Sequence, residues 1–419
     1  MAPSPRRRRP LVYTTAATLL ALAIVVAGCS SNSSGGGESK STALRVLGTK
    51  HVATGTPVKV GYVYDGTLAG INQTADIDGT QAAVKYVNNY MNGIAGHPIT
   101  LDTCSTQETP AGAKNCVAQF ITDKVPVVLN GATGQGGELF GPLAEQGVPV
   151  FLDTGGDDST FGRPGVAILN NGMLGIGGPA LLAHQAGVKR VAIALIDLPS
   201  AVGPIKSAAP LFYGEFGIKT DYVAIPPGTP DASPQIDAEL TNHPGQVMVV
   251  GDESTCVSVF KALANADYQG QKVILAGCTP GKTEGLTNLA GSYVFPGQVT
   301  NGSSKTVQTY NAVMSLYAPS SLDRTGPATT DYQDVIAFAE ATSGLKGAVT
   351  KESIQQAIAS SPPKPLPLAP GMTFQCNRKQ FVIASSMCTA NILEGRLDAN
   401  AEPGHYSVVS GKALLNGGA

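Results

Sequence analysis

Residues 57–360 alternate between short runs of β-branched and aromatic residues and longer stretches with apolar positions at helical spacing. In the first unit, the run VKVGYVY at 58–64 is followed by a loop over 65–73 and then by a predicted helix over 78–92. Apolar positions recur every three or four residues in that helix, which places them on one face. A second strand is predicted over 99–104. Strand, helix and strand in this order predict a β-α-β unit of a parallel sheet.

The same alternation continues along the chain and predicts two successive α/β cycles followed by a group of helices. The further predicted strands are 125–129, 148–153, 190–197, 219–225, 246–251, 272–277 and 292–295. The further predicted helices with both ends defined are 110–123, 173–187, 232–242, 254–266, 304–317, 329–342 and 351–360. Two more helices are predicted to end at 146 and at 217, and the second of these follows a predicted loop over 198–203. The segment 361–371 contains too many prolines for regular structure, and antiparallel strands are predicted over 372–409. Ligands bind outside the carboxyl ends of parallel strands, so we expect the loops after the strands to face a binding site.

The first 29 residues are organised like a secretory signal. Four arginines at 6–9 precede an apolar run over 11–26, and small residues lead to Cys29. The run is short for a permanent membrane span. Val26-Ala27-Gly28-Cys29 resembles a bacterial lipobox, which implies cleavage before Cys29 and attachment of diacylglycerol to its sulfur. Cleavage elsewhere, an uncleaved anchor, and either the twin-arginine or the general secretion route remain alternatives.

Removal of residues 1–28 changes the charge of the chain. The full sequence has 28 basic and 30 acidic residues, and loss of the four arginines leaves 24 basic residues and a net charge of −6. No basic stripe remains, so we expect no nucleic-acid partner. Residues 29–56 are rich in serine and glycine and predict a flexible tether from the lipid to a body that begins at Pro57. We expect the protein to contact the outer face of the cell membrane only through its N-terminal lipid.

Six cysteines remain besides Cys29, an even number for an oxidising compartment. Six cysteines permit fifteen pairings, so pairing by proximity is a prediction. The three local pairs are Cys104 with Cys116, Cys256 with Cys278, and Cys376 with Cys388. Each bridge would close a short loop and contribute roughly 3 kcal/mol. A metal cluster is the alternative, but the cysteines and histidines lack ligand spacing, and we expect no metal and no cofactor.

Several segments, taken in order, carry a family resemblance over nearly all of residues 57–410. They are VKVGYVY with DGTQAAVKYVNNYMNGIAGHPI, VPVVLNGATGQ before EQGVPVF, TTDYQDVIAFAEAT, and GMTFQCNRKQF. Together they resemble the leucine/isoleucine/valine-binding branch of the type I periplasmic solute-binding proteins of ABC importers. The resemblance implies an α/β fold of two Rossmann-like lobes, with parallel central sheets joined by a three-segment hinge. It implies lobe one over 57–172 and 302–360, lobe two over 173–297 and 371–410, and hinge crossings near 172 and at 298–301 and 361–370.

Candidate ligand contacts in the first lobe follow the predicted strands. Thr133, Gly134 and Gln135 lie between a strand end and a helix start, where backbone N–H groups and the helix dipole favour an anion. In the resembling branch a hydroxyl residue at this position binds the α-carboxylate of the ligand, and Thr133 matches it by type. The alternative is that Thr133 caps the helix.

Further candidates lie at other strand ends of this lobe. Thr154 and Gly155 follow the next strand, where the branch uses backbone groups and a threonine. Asp153 beside them would repel a carboxylate, and Asp65 is an unusual acid in the predicted wall of the cleft.

The predicted second lobe departs from the branch. Ala201 and Val202 stand where the branch has a tyrosine, and Thr279 lies in the loop where the branch has an ammonium-binding glutamate. A buried ammonium without a carboxylate is costly by several kcal/mol. The candidates to replace that charge are Asp197, Asp252 and Glu253, which are alternatively solvated or helix-capping acids.

These features predict a monomeric solute-binding lipoprotein rather than an enzyme. We expect it to capture a small polar solute, an amino acid or an amide-like molecule, and to deliver it to the permease of an ABC importer. The chain has no tryptophan to form a platform for a sugar. A sensor that uses the same clamp is one alternative and a hydrolase is another. The sequence contains no Gly-x-Ser-x-Gly elbow and no P-loop, which argues against the hydrolase.

Overall fold

The computed structural model describes residues 39–68, 71–72, 74–131, 133–154, 160–170, 172–276, 289–382 and 384–415. Its helices are α1 (Lys40–Leu47), α2 (Thr74–Tyr90), α3 (Pro110–Thr122), α4 (Gly136–Glu145), α5 (Gly172–Gln185), α6 (Pro199–Glu215), α7 (Ser233–Leu240), α8 (Glu253–Asn265), α9 (Lys305–Tyr317), α10 (Pro327–Thr342) and α11 (Lys351–Ser360). A 3-10 helix covers Gly411–Leu415.

The strands follow the alternation that the hydrophobic pattern predicts. They are β1 (Val58–Tyr64), β2 (Thr67–Leu68), β3 (Ile71–Asn72), β4 (Ile99–Ser105), β5 (Val128–Asn130), β6 (Val150–Thr154), β7 (Val166–Asn170), β8 (Arg190–Ile196), β9 (Lys219–Ile225), β10 (Gln246–Val250), β11 (Gln271–Ala276), β12 (Tyr293–Val294), β13 (Lys364–Pro365), β14 (Thr373–Phe374), β15 (Asn391–Leu397) and β16 (Pro403–Ser410). The short pairs β2–β3 and β13–β14 form separate antiparallel ribbons.

The first lobe is built on a parallel sheet in the order β4-β1-β5-β6-β7. Successive side chains of a strand point to opposite faces. Accordingly Val60 and Tyr62 of β1 join the core formed with α2, α9 and α10. Val63 joins the core on the other face, which is formed with α3 and α4. Strand β7 was missed by the sequence prediction and extends this sheet at its edge.

The second lobe is built on a sheet in the order β16-β15-β12-β11-β10-β8-β9. Strands β8 to β12 are parallel, while β15 and β16 add an antiparallel edge. One core packs α5 and α6 against this sheet, and another packs α7 and α8. Two lobes with parallel sheets and helices confirm the predicted fold class.

The chain passes between the sheets three times: from β7 to α5, from β12 to α9, and from α11 to β15. The second and third of these segments are joined, because the N–H of Val299 donates a 2.7 Å hydrogen bond to the carbonyl of Leu368. Leu366 and Leu368 are buried in the core of the first lobe. The limits of the lobes and the hinge role of these segments stay predictions.

Part of the predicted tether is ordered, which corrects the prediction for residues 39–56. Ser39 caps α1 by accepting a hydrogen bond from the N–H of Thr42. Ala43 is fully buried, and α1 packs on α9. Composition alone misses this helix because its buried face is completed by residues more than 250 positions away. Cys29 and the predicted signal lie outside the described residues. No helix in the described part of the chain is long and apolar enough to cross a membrane.

Two further predictions are corrected. The loop predicted over 198–203 is helical, since α6 begins at Pro199 directly after Leu198. Of the antiparallel strands predicted over 372–409, those around Cys376 and Cys388 are absent from the described residues between β14 and β15, and the antiparallel pair of the tail is β15–β16.

Two predicted disulfides are confirmed, Cys104–Cys116 and Cys376–Cys388. The first joins β4 to α3. The second closes a segment that lies along β7, where the N–H of Cys388 donates to the carbonyl of Ile168 at 2.8 Å. Cys256 is buried in the second lobe, and its predicted partner, Cys278, lies outside the described residues.

Candidate functional site

A pocket lined by three aspartates lies at the carboxyl ends of the strands in the first lobe, and we call it the acidic pocket. It has a volume of about 330 Å³ and is lined by Asp65, Asp76, Thr133, Gly134, Pro327, Thr330 and Asp331. These residues come from the ends of β1 and β5 and from the starts of α2 and α10. Because the strands are parallel, their ends meet at one edge of the sheet, where ligands bind in open α/β folds.

Asp65 is the most completely hydrogen-bonded acid of the acidic pocket. One carboxylate oxygen, Oδ1, accepts hydrogen bonds from the hydroxyls of Thr106 at 2.7 Å and Thr133 at 2.5 Å. The other, Oδ2, accepts from the N–H of Gly134 at 2.9 Å. The residue is only 4% exposed. Three donors thus hold a carboxylate that belongs to the protein itself.

Thr133 has no hydroxyl donor left for a ligand in this arrangement. Its Oγ1 donates to Asp65 and accepts from the N–H of Gln135 at 3.1 Å. The side chain of Gln135 donates to the carbonyl of Glu108 at 3.2 Å. The structure therefore brings Asp65, Thr133 and Gly134 together as predicted for a site, but the donors expected for a ligand carboxylate already bind Asp65. Contact of these residues with a ligand stays a prediction.

Two other acids of the acidic pocket are almost fully buried, since Asp76 is 4% and Asp331 is 1% exposed. Asp76 Oδ1 accepts no hydrogen bond from the described residues, and Asp331 interacts with the buried hydroxyl of Tyr62. Burial raises the pKa of Asp76 to about 7, with a further contribution from the negative charge of Asp65. Burial also raises the pKa of Asp331 well above its ordinary value, and the charges of Asp76 and Asp153 raise it further.

Asp331 reaches this position because residue 131 is a glycine. A Cβ atom at Gly131 would overlap Asp331 Oδ1. Tyr62 is fully buried beside the same acids, and its hydroxyl interacts with Asp331 and with Thr80. Burial raises the pKa of Tyr62 well above its usual range, and the negative charges of Asp331 and Asp76 act in the same direction.

A second group of acids lies deeper, beside the chain crossings. Asp153 at the end of β6 is fully buried, and its Oδ2 accepts hydrogen bonds from Gln298 Nε2 at 2.7 Å and Thr154 Oγ1 at 3.2 Å. Gln298 Nε2 also donates to Gln333 Oε1 at 2.9 Å, and Gln333 Nε2 donates to the carbonyl of Pro367. This glutamine link connects β6 and α10 to the second and third crossing segments.

The carboxyl groups of this deeper cluster resist ionisation. Burial raises the pKa of Asp153 well above its ordinary value, against hydrogen bonds from Thr154 and Gln298 that lower it. Burial likewise raises the pKa of Asp334, with the charges of Asp153 and Asp331 adding to the effect. A hydrogen bond from the backbone of Asn130 acts in the opposite direction and lowers the pKa of Asp334.

The second-lobe candidates are not brought into the acidic pocket. Asp197, Asp252 and Glu253 are exposed. Asp252 caps α8, because its Oδ1 accepts from the N–H of Thr255 at 2.8 Å and from Ser254 Oγ at 2.8 Å. The hydrogen bond from the Thr255 backbone lowers the pKa of Asp252. The capping alternative considered from the sequence is therefore realised at Asp252.

Thr154 lines a second, smaller pocket that is formed by both lobes. This pocket has a volume of about 230 Å³, and its apolar walls include Leu275, Phe295 and Met372. Thr154 is the only residue in its lining that was also a sequence candidate. Gly155 and Thr279 lie outside the described residues.

Sequence reasoning missed the acids of α2 and α10 as site residues. Asp76, Asp331 and Asp334 were not among the sequence candidates, although the last two lie in TTDYQDVIAFAEAT. One signal was available: Asp331 and Asp334 lie three positions apart and therefore on one face of the predicted helix. Helix α10 is buried along nearly its whole length, so both acids are buried too.

The two lobes of parallel α/β structure, with the acidic pocket at the strand ends, define a two-lobed binding protein. The family model described as periplasmic binding protein matches residues 57–390, and the chain belongs to that family. No curated protein matches the chain by sequence.

Solved structures share the fold at low identity. A solute-binding protein of an ABC transporter from Rhodopseudomonas palustris HaA2, in complex with p-hydroxybenzoic acid, is 15% identical with a TM-score of 0.65, over 85% of this chain and 97% of that one. An ABC transporter substrate-binding protein from Sphaerobacter thermophilus is 16% identical with a TM-score of 0.64, over 84% and 96%. The branched-chain amino acid substrate-binding protein LivJ from Streptococcus pneumoniae, in complex with isoleucine, is 17% identical with a TM-score of 0.57, over 85% and 100%.

Proposed function

We propose that this protein is an extracytoplasmic solute-binding lipoprotein, which captures a small polar solute between its lobes and delivers it to an ABC importer. The observation that carries the proposal is the acidic pocket at the strand ends of one lobe in a two-lobed periplasmic binding protein fold. Its volume of about 330 Å³ is at the lower end of the range for ligand pockets. The similar structures named for isoleucine and p-hydroxybenzoic acid also hold small solutes.

Capture by closure of the lobes follows from the three chain crossings. Two-lobed proteins close around ligands by changes at a few hinge residues, and a ligand that contacts both lobes favours the closed state. The Val299–Leu368 hydrogen bond and the glutamine link join two of the crossings to each other and to the first lobe. We expect them to move as one unit while the second lobe rotates.

The anchoring part of the proposal rests on the lipobox-like sequence that ends at Cys29. We expect the mature protein to be monomeric and held on the outer face of the membrane by lipid on Cys29. The variant Cys29→Ser should be released into the medium, and the wild type should incorporate labelled fatty acid. Equal membrane retention of both proteins would contradict lipid anchoring.

A thermal-shift screen of the purified full chain tests solute binding. The library contains amino acids, amides, polyamines, aromatic acids and sugars. A solute present at 100 times its Kd should stabilise the folded protein by about 2.7 kcal/mol. The bound solute should be recovered intact, and uptake of its labelled form should fall in cells that lack the gene. A solute recovered as a hydrolysis product, or uptake that is unchanged in those cells, would contradict the proposed transport function.

A further inference from the structure

We propose that the acidic pocket binds a cationic group of the solute, an ammonium or a guanidinium, rather than a carboxylate. This inference rests on the proposed function, and it names the chemical class of the solute. It reverses the expectation that Thr133 and Gly134 bind a ligand carboxylate.

The first step concerns the donors. The Thr133 hydroxyl and the Gly134 N–H both donate to Asp65, with the Thr106 hydroxyl as a third donor. An incoming carboxylate would have to displace the buried carboxylate of Asp65, which already accepts hydrogen bonds from all three donors. It would also come close to the acids Asp76 and Asp331, which line the same pocket.

The second step concerns the acceptors. Asp76 and Asp331 line the acidic pocket and are more than nine-tenths buried. Asp76 Oδ1 receives no hydrogen bond from the described residues, whereas Asp331 interacts with the buried hydroxyl of Tyr62. Buried polar groups in native proteins are nearly always paired. An ammonium offers three N–H donors and a guanidinium five, without any acceptor. Either group supplies the donor that Asp76 Oδ1 lacks.

The third step concerns the charge. None of the ion pairs among the described residues includes Asp65, Asp76 or Asp331. A buried carboxyl group without a charged partner tends to hold a proton, and the pKa values of Asp76 and Asp331 are raised accordingly. A cationic ligand would favour the ionised form of both groups and pair with it. The described residues contain no group of three side chains arranged to hold a metal ion, which favours an organic cation.

The remaining wall suits an aliphatic amine. Pro327 presents an apolar ring, and Thr330 donates its hydroxyl proton to the Pro327 carbonyl at 2.7 Å, which leaves its oxygen as an acceptor. The geometry therefore favours a small alkyl chain that ends in a protonated nitrogen.

Titration calorimetry of the purified full chain at pH 8 tests this assignment. The cationic probes are putrescine, agmatine and L-arginine, and the matched neutral and anionic probes are 1,4-butanediol and succinate. We expect at least one cationic probe to bind and neither matched probe to bind. Asp76→Asn and Asp331→Asn should each weaken that binding tenfold or more, because each removes a carboxyl group that would ionise beside the bound cation.

The control variant is Asp237→Asn, an exposed acid of α7 outside both pockets, and its affinity should equal that of the wild type. If Asp331→Asn does not fold, Asp76→Asn and the comparison of probes still decide the question. Cation binding that neither Asn variant weakens overturns the assignment to this pocket. A neutral or anionic solute that binds while no cationic probe does overturns the inference and leaves the proposed function standing. No binding by any member of the full solute library overturns both.

Discussion

The carboxylate of Asp65 accepts a 2.5 Å hydrogen bond from the hydroxyl of Thr133, which lies 68 residues further along the chain. Asp65 is therefore an internal anion that accepts the hydrogen bonds which the Thr133 hydroxyl and the Gly134 N–H could otherwise donate to a ligand. It changes the polarity expected for the pocket, because the donors are already occupied and two further acids, Asp76 and Asp331, line the same pocket.

Substitution of Asp65 should destabilise the folded protein. Asp65→Asn removes the negative charge and replaces one carboxylate oxygen by an NH₂ group. This NH₂ group cannot accept the hydrogen bonds that the surrounding donors make to Asp65. Hydrogen bonds to a charged group are worth about 1.5–3 kcal/mol, so the free energy of unfolding should fall by about 2 kcal/mol or more. Urea denaturation measures the change. Asp78→Asn, on the partly exposed surface of α2, is the matched control, and equal stability of the two variants would contradict this role of Asp65.

The pKa of Asp76 predicts a pH dependence of stability. Burial raises this pKa to about 7, whereas aspartate in an unfolded chain has a pKa of about 3.9. The folded protein therefore holds the proton more tightly, so this contribution to stability is full below about pH 4 and is lost as the pH rises to about 7. Relative to Asp76→Asn, the wild type should lose at most about 1.4 kcal/mol per pH unit in this window.

The measurement is the free energy of unfolding of both proteins in urea at pH 4, 5, 6, 7 and 8. Asp65, Asp331 and Tyr62 interact electrostatically with Asp76, and the comparison with Asp76→Asn isolates the part that depends on Asp76. If the free energies of unfolding of the wild type and Asp76→Asn differ by the same amount at every pH, Asp76 has the same pKa in the folded and unfolded states, which would contradict the prediction.

Gly131 should not tolerate a side chain. In Gly131→Ala the new methyl group would overlap Asp331 Oδ1 inside the buried edge of the sheet, and we expect a loss of about 1–3 kcal/mol as from overpacking of a core. Gly134→Ala is the matched control, because a Cβ atom there has no neighbour within 4 Å. Thermal or urea unfolding should separate the two variants. The double variant Gly131→Ala with Asp331→Ala should recover part of the stability, and no recovery would assign the cost to another contact.

Loss of the glutamine link should weaken the connection between the crossings. Gln298→Leu removes a donor to Asp153 Oδ2, which keeps its hydrogen bond from Thr154, and the donor to Gln333 Oε1. A buried acceptor left without a donor, as Gln333 Oε1 would be, costs about 1–3 kcal/mol. Gln308→Leu provides a control, since its exposed side chain donates only to the carbonyl of Ser303. Chemical denaturation of both variants gives the comparison. A Gln298→Leu variant as stable as the control would remove the structural role of this link.

The sequence by itself determined the α/β alternation and most of the element bounds, because hydrophobic periodicity is a local property. The strand over 58–64 and the helix over 351–360 have the bounds that their patterns predict. Strand β7 was missed because a five-residue apolar run carries too little periodicity to be distinguished. Helix α1 was missed because its buried face is completed by the distant helix α9.

Only the tertiary structure decided the chemistry of the pocket. The sequence placed Asp65 and Thr133 at strand ends on one edge of a sheet. It did not show that the Thr133 hydroxyl would donate its hydrogen bond to Asp65. Asp331 enters the pocket from a helix about 200 residues beyond Thr133, and its ionisation depends on burial by atoms from several elements. The burial of each carboxyl group and its hydrogen-bond partners depend on neighbours that are distant in sequence. No local sequence pattern therefore encodes whether a strand-end site holds an anion or a cation.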